Sequence, residues 1–247
     1  MYIDNMTFVL FFPKMEKVRA RALELESALE EYFEAPFTIL PIPEDAPPEI
    51  PRIIAKSHNG HSQLTVSLIN LQLEMNFDDS YNEEISTCFD YLKTRVEVLK
   101  GVMSKFCDQS FLFSGISARV ILNKDVEDTM SFLKNKFVGI ESTIEPYNVT
   151  NKVAYVLEDA YYLNLTIANV RTYEGKVGEG ITKPEIREIS NHVAVEVDVN
   201  DKFGYNHNKE HRCTNDSISF INNTVEQFIK HELCKVLLKG EIMYDKQ

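Results

Sequence analysis

Two histidines, His58 and His61, flank an Asn59-Gly60 pair and are the first side chains of the chain with recognisable binding chemistry. An Asn-Gly pair between alternating apolar residues predicts a β-hairpin with a type I′ turn, because both central residues of that turn need positive φ. Cross-strand partners share a face of the sheet, so the two imidazoles could bind one metal ion or a ligand phosphate. A zinc site needs a further ligand, which the neighbouring sequence does not supply. Two exposed polar residues beside a turn are therefore the favoured interpretation.

A second cluster, His207, His211 and Cys213, has the spacing H-x3-H-x-C after Gly204. If the segment were helical, the two histidines would share one face and could ligate a metal. Structural zinc sites usually divide their ligands between two such clusters, and this stretch holds one. The surrounding Asn, Lys and Glu residues favour a solvated loop before the last helix.

A third pattern combines Asp159 with Glu174-Gly175-Lys176. An acid followed by E-x-K resembles the skeleton of a large nuclease superfamily, in which carboxylates hold Mg²⁺ and the lysine orients the attacking water. The pattern is short enough to occur by chance in an acidic chain. The sequence has no G-x-G-x-x-G, Walker A, G-x-S-x-G or H-E-x-x-H motif, so we expect no cofactor and no catalytic residue.

The composition narrows the classes of partner. The 247 residues carry a net charge of −12, which argues against nonspecific binding to nucleic acid or to an anionic membrane surface. No apolar run approaches the ~20 residues that span a bilayer, and the first 14 residues are typical of a strand rather than a secretion signal. The four cysteines are widely spaced, which favours buried thiols in a reducing compartment. We therefore expect a cytoplasmic protein.

The first half predicts strand, helix, three strands and a long helix. Residues 7–12 form an apolar strand, and apolar residues at helical spacing follow over residues 15–33. After a proline-rich connector, residues 51–77 predict an antiparallel meander with its hairpin at Asn59-Gly60 and a second bend near Asn70. Residues 82–106 then predict a long amphipathic helix.

The second half predicts the same order. A strand over residues 111–122 changes phase at Gly115, which predicts a bulge there. Asp125 is expected to cap a short helix. Three further strands are predicted at residues 153–157, 161–170 and 193–199, with a glycine-rich loop before the last, and a final helix over residues 215–239.

Together these elements predict an α+β fold of antiparallel sheets with long helices packed on one face. The order β-α-β-β-β-α occurs twice, so we predict an internal duplication, with a first unit at residues 1–108 and a related second unit at residues 109–247. The two units could form one continuous globule.

The hairpin region resembles a sporadically distributed bacterial family of uncharacterised proteins, and the resemblance rests on chain length, element order and the segment Pro51-Arg52-Ile53-Ile54, Ser57 and His58 to Leu64. In topology and charge the chain is more distantly similar to the SecB-like export chaperones. That similarity implies an acidic cytosolic protein that works as an assembly. It carries over no catalytic residue.

These observations predict a non-catalytic scaffold or protein-binding subunit, and we expect it to belong to a bacterial accessory or phage-defence system. The expected partner is another protein or a second copy, and a homodimer is the expected assembly. Aromatic and methionine side chains, which make adaptable contact surfaces, are numerous, although most should fill the core. A SecB-like holdase and a metal-dependent hydrolase or nuclease are the alternatives.

Overall fold

The computed structural model describes residues 1–43, 45–81, 84–107, 111–122, 126–176, 185–239 and 242. The strands in this part of the chain are β1 (Tyr2–Phe11), β2 (Thr38–Ile39), β3 (Ile53–Lys56), β4 (Ser62–Val66), β5 (Asn70–Asn76), β6 (Phe113–Leu122), β7 (Thr150–Leu157), β8 (Tyr161–Lys176) and β9 (Glu185–Asn200). The α-helices are α1 (Ala22–Leu29), α2 (Ile85–Phe106), α3 (Thr129–Phe137), α4 (Lys202–His207), α5 (Asn215–Gln227) and α6 (Leu233–Lys239). A π-helical turn, Phe228–Glu232, joins α5 to α6.

One antiparallel sheet contains all of these strands, in the order β2-β3-β4-β5-β1-β6-β9-β8-β7. This confirms the predicted α+β class and the antiparallel pairing. The strands β1 and β6 pair at the centre of the sheet. From there the order outward is β5-β4-β3 on one side and β9-β8-β7 on the other, so the strand order of one side mirrors that of the other.

One face of the sheet is buried along its centre. Residues that are paired across antiparallel strands share a face, and the pairs Phe8–Leu73, Phe8–Ile116 and Leu165–Val197 all lie on the same one. These side chains are at most 3% exposed. They form a single hydrophobic core with the apolar stripes of α1, α2 and α5, which include Leu25, Leu29, Phe89, Leu92, Val96, Leu99, Ile218, Ile221 and Val225. Burial of each such side chain stabilises the fold by roughly 1.5–3 kcal/mol.

The opposite face is polar and partly exposed. Arg119 lies there in register with Asn5 and Glu196, and its guanidinium donates two hydrogen bonds to the Asp4 carboxylate (2.9 and 2.7 Å). Two rings of α4 also reach this face, because Phe203 contacts Tyr162 and Tyr205 contacts Phe113. Among the described helices, none is long and apolar enough to cross a membrane.

The hairpin between β3 and β4 is present as predicted, but the predicted type I′ turn is wrong. Among residues 57–60 of the turn, Gly60 alone has positive φ (75°). The Gly60 N–H donates to the Ser57 carbonyl (3.0 Å). Asn59 lies outside the left-handed region, and its side-chain Oδ1 accepts hydrogen bonds from Ser57 Oγ and from the His61 N–H within the turn. Paired positive φ values occur instead at Glu158 (50°) and Asp159 (52°), in the turn between β7 and β8.

The bulge predicted at Gly115 is also wrong. The register of β6 with β9 is continuous through Gly115, and the register shift with β1 lies between Ile3 and Asn5. Gly115 is required by space, since a Cβ at this position would lie 2.9 Å from Cβ of Asn200 on the neighbouring strand. Gly115 therefore marks a close contact between two regularly paired strands, and not a bulge.

The remaining element predictions are largely confirmed. The second tight turn near Asn70 is closed by the Ser67 N–H, which donates to the Asn70 carbonyl (2.8 Å). The helix predicted over residues 15–33 is shorter, with α1 preceded by a 3₁₀ turn, Val18–Arg21. Asp125, the predicted cap of α3, lies outside the described residues, as does most of the glycine-rich loop; the side chain that caps α3 is Asp128.

Candidate protein-interaction surface

The His58–His61 turn is held by hydrogen bonds that point its two imidazoles at different partners. His58 Nε2 lies 2.8 Å from the carbonyl oxygen of Glu30, at the end of α1. His61 Nδ1 lies 3.3 Å from the carbonyl oxygen of Asn76, at the end of β5. Each ring is therefore engaged with a separate element, and the geometry does not direct the two rings to one ligand.

Asn59, between these histidines, is the centre of a polar network that the sequence did not indicate. Its Oδ1 accepts hydrogen bonds from Ser57 Oγ (2.9 Å) and from the Tyr91 hydroxyl (3.1 Å). Tyr91 belongs to α2, and the guanidinium of Arg95 lies 3.4 Å from the centre of its ring. This cation–π contact lies within α2 and holds the Tyr91 ring in place. The Tyr91 hydroxyl links the helix to the hairpin, through Asn59 and through Ser62 Oγ at 3.0 Å. The network is a structural clamp between β3, β4 and α2.

The second predicted cluster is partly brought together, around a residue that sequence reasoning missed. His211 Nε2 lies 3.0 Å from Oδ2 of Asp201, and Oδ1 of Asp201 accepts the Ser114 N–H (2.6 Å). Cys213 donates its thiol proton to Ser114 Oγ (3.2 Å). His207 is not part of this group: it is exposed at the end of α4, with its ring against Phe203. Asp201 directly follows β9, and that position at a strand end was the available signal.

The electrostatics of this cluster do not favour nucleophilic chemistry. Burial raises the pKa of the Cys213 thiol strongly, and the adjacent Asp201 carboxylate raises this pKa further. Burial also raises the pKa of Asp201, against the opposing effect of the hydrogen bond from the Ser114 N–H. A reactive cysteine needs the opposite shift, towards the thiolate. The cluster instead fastens the ends of β6 and β9 to the segment before α5.

The third pattern is not brought together. Asp159 lies in the turn before β8, whereas Glu174 and Lys176 lie at the far end of the same strand. Asp159 and Glu174 are fifteen residues apart along an extended strand, which corresponds to about 50 Å at roughly 3.3 Å per residue. This distance is far beyond the reach of one metal ion. Across the residues that the structure describes, no group of three His, Cys, Asp or Glu side chains could hold a metal ion.

The outer strand β7 carries exposed apolar residues on the face of the sheet that elsewhere forms the core. Val153 pairs with Leu165 and Tyr155 pairs with Leu163, so all four side chains lie on the face that forms the core. Leu163 and Leu165 are fully or almost fully buried, but Val153 is 37% exposed and Tyr155 is 36% exposed. The core face of the sheet therefore continues outward at β7 without being covered there to the same extent.

The backbone edge of β7 is also open, since no described strand pairs with its outer side. An unpaired edge presents a row of N–H and C=O groups that can accept another strand. The chain is acidic, yet Lys152 is the one charged residue of β7. On the second face of the strand Val156 is 45% exposed. Apart from Lys152, this edge lacks the charges and prolines that usually protect an outer strand.

Beyond the sheet, β8 and β9 continue together as a two-stranded arm over residues 171–176 and 185–191. Tyr173 and Ile186 share one face of the arm, because Tyr173 pairs with Glu188 and Gly175 pairs with Ile186. Both apolar side chains are exposed, as is Ile189 at a register shift between the strands. At the base of the arm, Arg171 forms an ion pair with Glu188 and lies over the ring of Tyr147, which fixes the preceding loop beside β8.

We name the exposed apolar residues of β7, of the arm and of the segment before β7 the β7–arm surface. It comprises the exposed residues Ile140, Ile144, Tyr147, Val153, Tyr155, Val156, Tyr173, Ile186 and Ile189. They are nine of the thirteen large apolar side chains that are exposed in the described part of the chain. They fall within a 50-residue stretch of the sequence, whereas isolated exposed apolar residues are ordinarily scattered, and this makes the stretch the candidate interaction surface.

Sequence reasoning placed a strand at residues 153–157 but assigned it no function. The available signal was the run Val153-Ala154-Tyr155-Val156, in which both faces of a strand are apolar and no acidic residue occurs. Comparison of the sequence with models of known protein families gave no match, and comparison with curated proteins also gave none.

Proposed function

We propose that this protein is a non-catalytic protein-binding subunit that contacts its partners through the β7–arm surface. The observation that carries the proposal is the exposure of Val153 and Tyr155 on the face of the sheet that elsewhere forms the core. An uncovered portion of a core face is stabilised when another polypeptide removes it from water.

The chemistry of the surface favours a polypeptide partner. An open strand edge binds an extended segment through backbone hydrogen bonds, and apolar side chains on both faces add specificity through contact with alternate side chains of the ligand. The three arm residues Tyr173, Ile186 and Ile189 extend the apolar surface beyond the edge. Aromatic residues are enriched in the centres of protein interfaces.

The test is affinity capture from the native source, followed by quantitative mass spectrometry. The double variant Ile186→Lys/Ile189→Lys changes two exposed arm residues, and Leu23→Lys is a matched control, because Leu23 is equally exposed but lies in α1. We expect a protein partner that is enriched by the wild type and by Leu23→Lys, and lost with the double variant. Partners that are unaffected by the double variant and by Tyr155→Lys would contradict the proposal.

A SecB-like holdase is the second candidate, favoured by the same open edge. An unfolded client is an extended apolar chain, which can add to β7 as a strand without a defined sequence. This function predicts that an equimolar amount of the protein suppresses the aggregation of an unfolded client, measured by light scattering, and that Tyr155→Lys weakens the suppression. Unchanged aggregation of the client would remove this candidate.

We also propose that the two halves of the chain, residues 1–108 and 109–247, are related by duplication. The mirrored strand order on either side of the β1–β6 pair supports this proposal, as does the recurrence of a helix after the first strand of each half. We propose in addition that the long helices pack on one face of the sheet. Cytoplasmic location, the resemblance to the bacterial family and a role in an accessory or phage-defence system stay predictions.

A further inference from the structure

We propose that the occupant of the β7 edge is a second copy of this chain, paired antiparallel with β7 about a twofold axis at Ala154. This inference rests on the proposed function, because it assigns a partner to one part of the β7–arm surface. The arm remains available to a different protein. The length of the strand, its register and its charge all fit such a pairing.

The strand is long enough to carry an interface. Its eight residues span about 27 Å, and antiparallel pairing of such a strand forms backbone hydrogen bonds along most of that length. A twofold axis brings the same surface of each copy together, so a single self-complementary strand is sufficient for a closed dimer. The result would be one sheet that runs continuously through both copies.

The side chains of β7 select the register. With the axis perpendicular to the sheet, residues that face the core in one copy must lie opposite residues that face the core in the other. An axis at Ala154 places Val153 opposite Tyr155 of the second copy, and Tyr155 opposite its Val153. A pair of an aromatic and a β-branched side chain is among the favourable cross-strand pairs. An axis at Val153 would instead place Tyr155 opposite Asn151, which gives up this pairing.

The charge of the strand favours self-association. Two copies with a net charge of −12 each repel one another over most of their surfaces. Along β7 the one charged residue is Lys152, so no carboxylates within the strand oppose each other. In the Ala154 register Lys152 lies opposite Val156 of the second copy, near the end of the strand that leads into the acidic turn Glu158-Asp159. The lysine of each copy is thus placed towards the acidic turn of the other, and opposite charges attract.

This pairing also covers the exposed part of the core face. Val153 and Tyr155 of both copies would lie side by side in a cluster of four, next to the buried Leu163 and Leu165 of each copy. The backbone edge and the uncovered face are then buried by the same contact.

The first arm of the experiment is analytical ultracentrifugation of the purified full chain. We expect a reversible dimer for the wild type and at least a 100-fold weaker dimer for Tyr155→Lys. Tyr205→Lys is the control, since Tyr205 is similarly exposed but lies in α4. A wild type that is monomeric up to high concentration, or a dimer that is equally stable in both variants, would overturn the inference.

The second arm is a cysteine scan along β7 with Cys107 and Cys234 replaced by serine. Ala154→Cys should form an intermolecular disulfide on mild oxidation, because the two copies of this residue meet on the axis, and Thr150→Cys should not. Preferential crosslinking of Val153→Cys would overturn the Ala154 register, and the absence of crosslinks along β7 would overturn the interface. A monomeric protein that still loses a captured partner on Ile186→Lys/Ile189→Lys would overturn the dimer alone, and leave the proposed function intact.

Discussion

The two outer regions of the sheet, at β3 and at β7, differ in how well they are covered. Each strand is followed directly by a hairpin and is the outermost long strand of its side. On the core face of β3, Ile53 is 1% exposed and Ala55 is 3% exposed. On the core face of β7, Val153 and Tyr155 are more than a third exposed. Similar strand order has therefore produced one closed side and one open side.

The chain itself supplies the cover for β3. The two-residue strand β2 pairs with the outer edge of β3, and Phe33 forms a bridge with Ser57 at the end of the strand. Pro36 and Pro41 stand close to either end of β2, and a proline near a short outer strand prevents further strands from adding. The outer edge of β3 is therefore already paired within the chain.

The corresponding stretch before β7 covers less. Ile140 is 74% exposed and Ile144 is 78% exposed, so the segment between α3 and β7 leaves its own apolar residues in water. The proposed contact surface therefore lies where the cover of the sheet is incomplete, and it includes neither of the predicted histidine clusters.

The largest expected effect is the contrast between Ile53→Ala and Val153→Ala. Ile53→Ala leaves a cavity in a fully covered part of the core and should lower the free energy of unfolding by about 2–4 kcal/mol. Val153→Ala removes a partly exposed side chain and should cost less than about 1 kcal/mol. Urea unfolding followed by circular dichroism, at dilute protein concentration, measures both. Equal costs would show that β7 is as well covered as β3.

A smaller contrast separates the centre of the sheet from the arm. Gly115→Ala forces a Cβ to within 2.9 Å of the Asn200 side chain, and should cost about 1–3 kcal/mol. Gly175→Ala on the arm has open space around the new methyl group, and should change the free energy of unfolding by less than about 0.5 kcal/mol. If Gly175→Ala were the more destabilising change, the arm would be packed against part of the molecule.

The smallest expected effect concerns the ion pair between the helices of the two halves. Glu226 of α5 accepts hydrogen bonds from Lys93 of α2 and from Lys230 (both 2.6 Å). Burial alone would raise the pKa of Glu226, but these lysines outweigh burial and hold the pKa below its ordinary value.

Because the folded pKa is lowered, the stabilisation is present above the unfolded pKa of about 4.3 and is lost as the pH falls through the folded value. Glu226→Gln should remove this contribution, which is less than about 1 kcal/mol for a pair at the surface. The stability curves of wild type and variant should therefore converge at low pH. Curves that stay parallel from pH 7 to pH 3 would contradict the assignment.

Much of the fold could be predicted because its patterns are local. The alternation of Val193, Val195, Val197 and Val199 with polar residues identified a strand with one buried face, and that strand is β9. The apolar spacing in α2 and α5 identified their core faces in the same way. Gly115 misled the prediction because a glycine at a bulge and a glycine at a close strand contact give the same local pattern.

The exposure of β7 could not be predicted because it depends on which parts of the chain pack over the strand. The run Val153 to Val156 is apolar in the sequence whether or not another element covers it, so its 36–45% exposure at Val153, Tyr155 and Val156 becomes visible only in the structure. The Asp201–His211 contact likewise depends on the packing of α4 against the ends of β6 and β8. The type and spacing of the residues indicated His211, but they did not indicate that Asp201 is its partner.

Hydrogen–deuterium exchange along β3 and β7, measured as a function of protein concentration, tests whether β3 is covered within the chain while β7 is an open edge. At high dilution we expect strong protection of the β3 amides and fast exchange of those β7 amides that face outward. Protection of β7 should then rise with concentration, while β3 stays unchanged. Protection of β7 that equals that of β3 at every concentration would contradict the account.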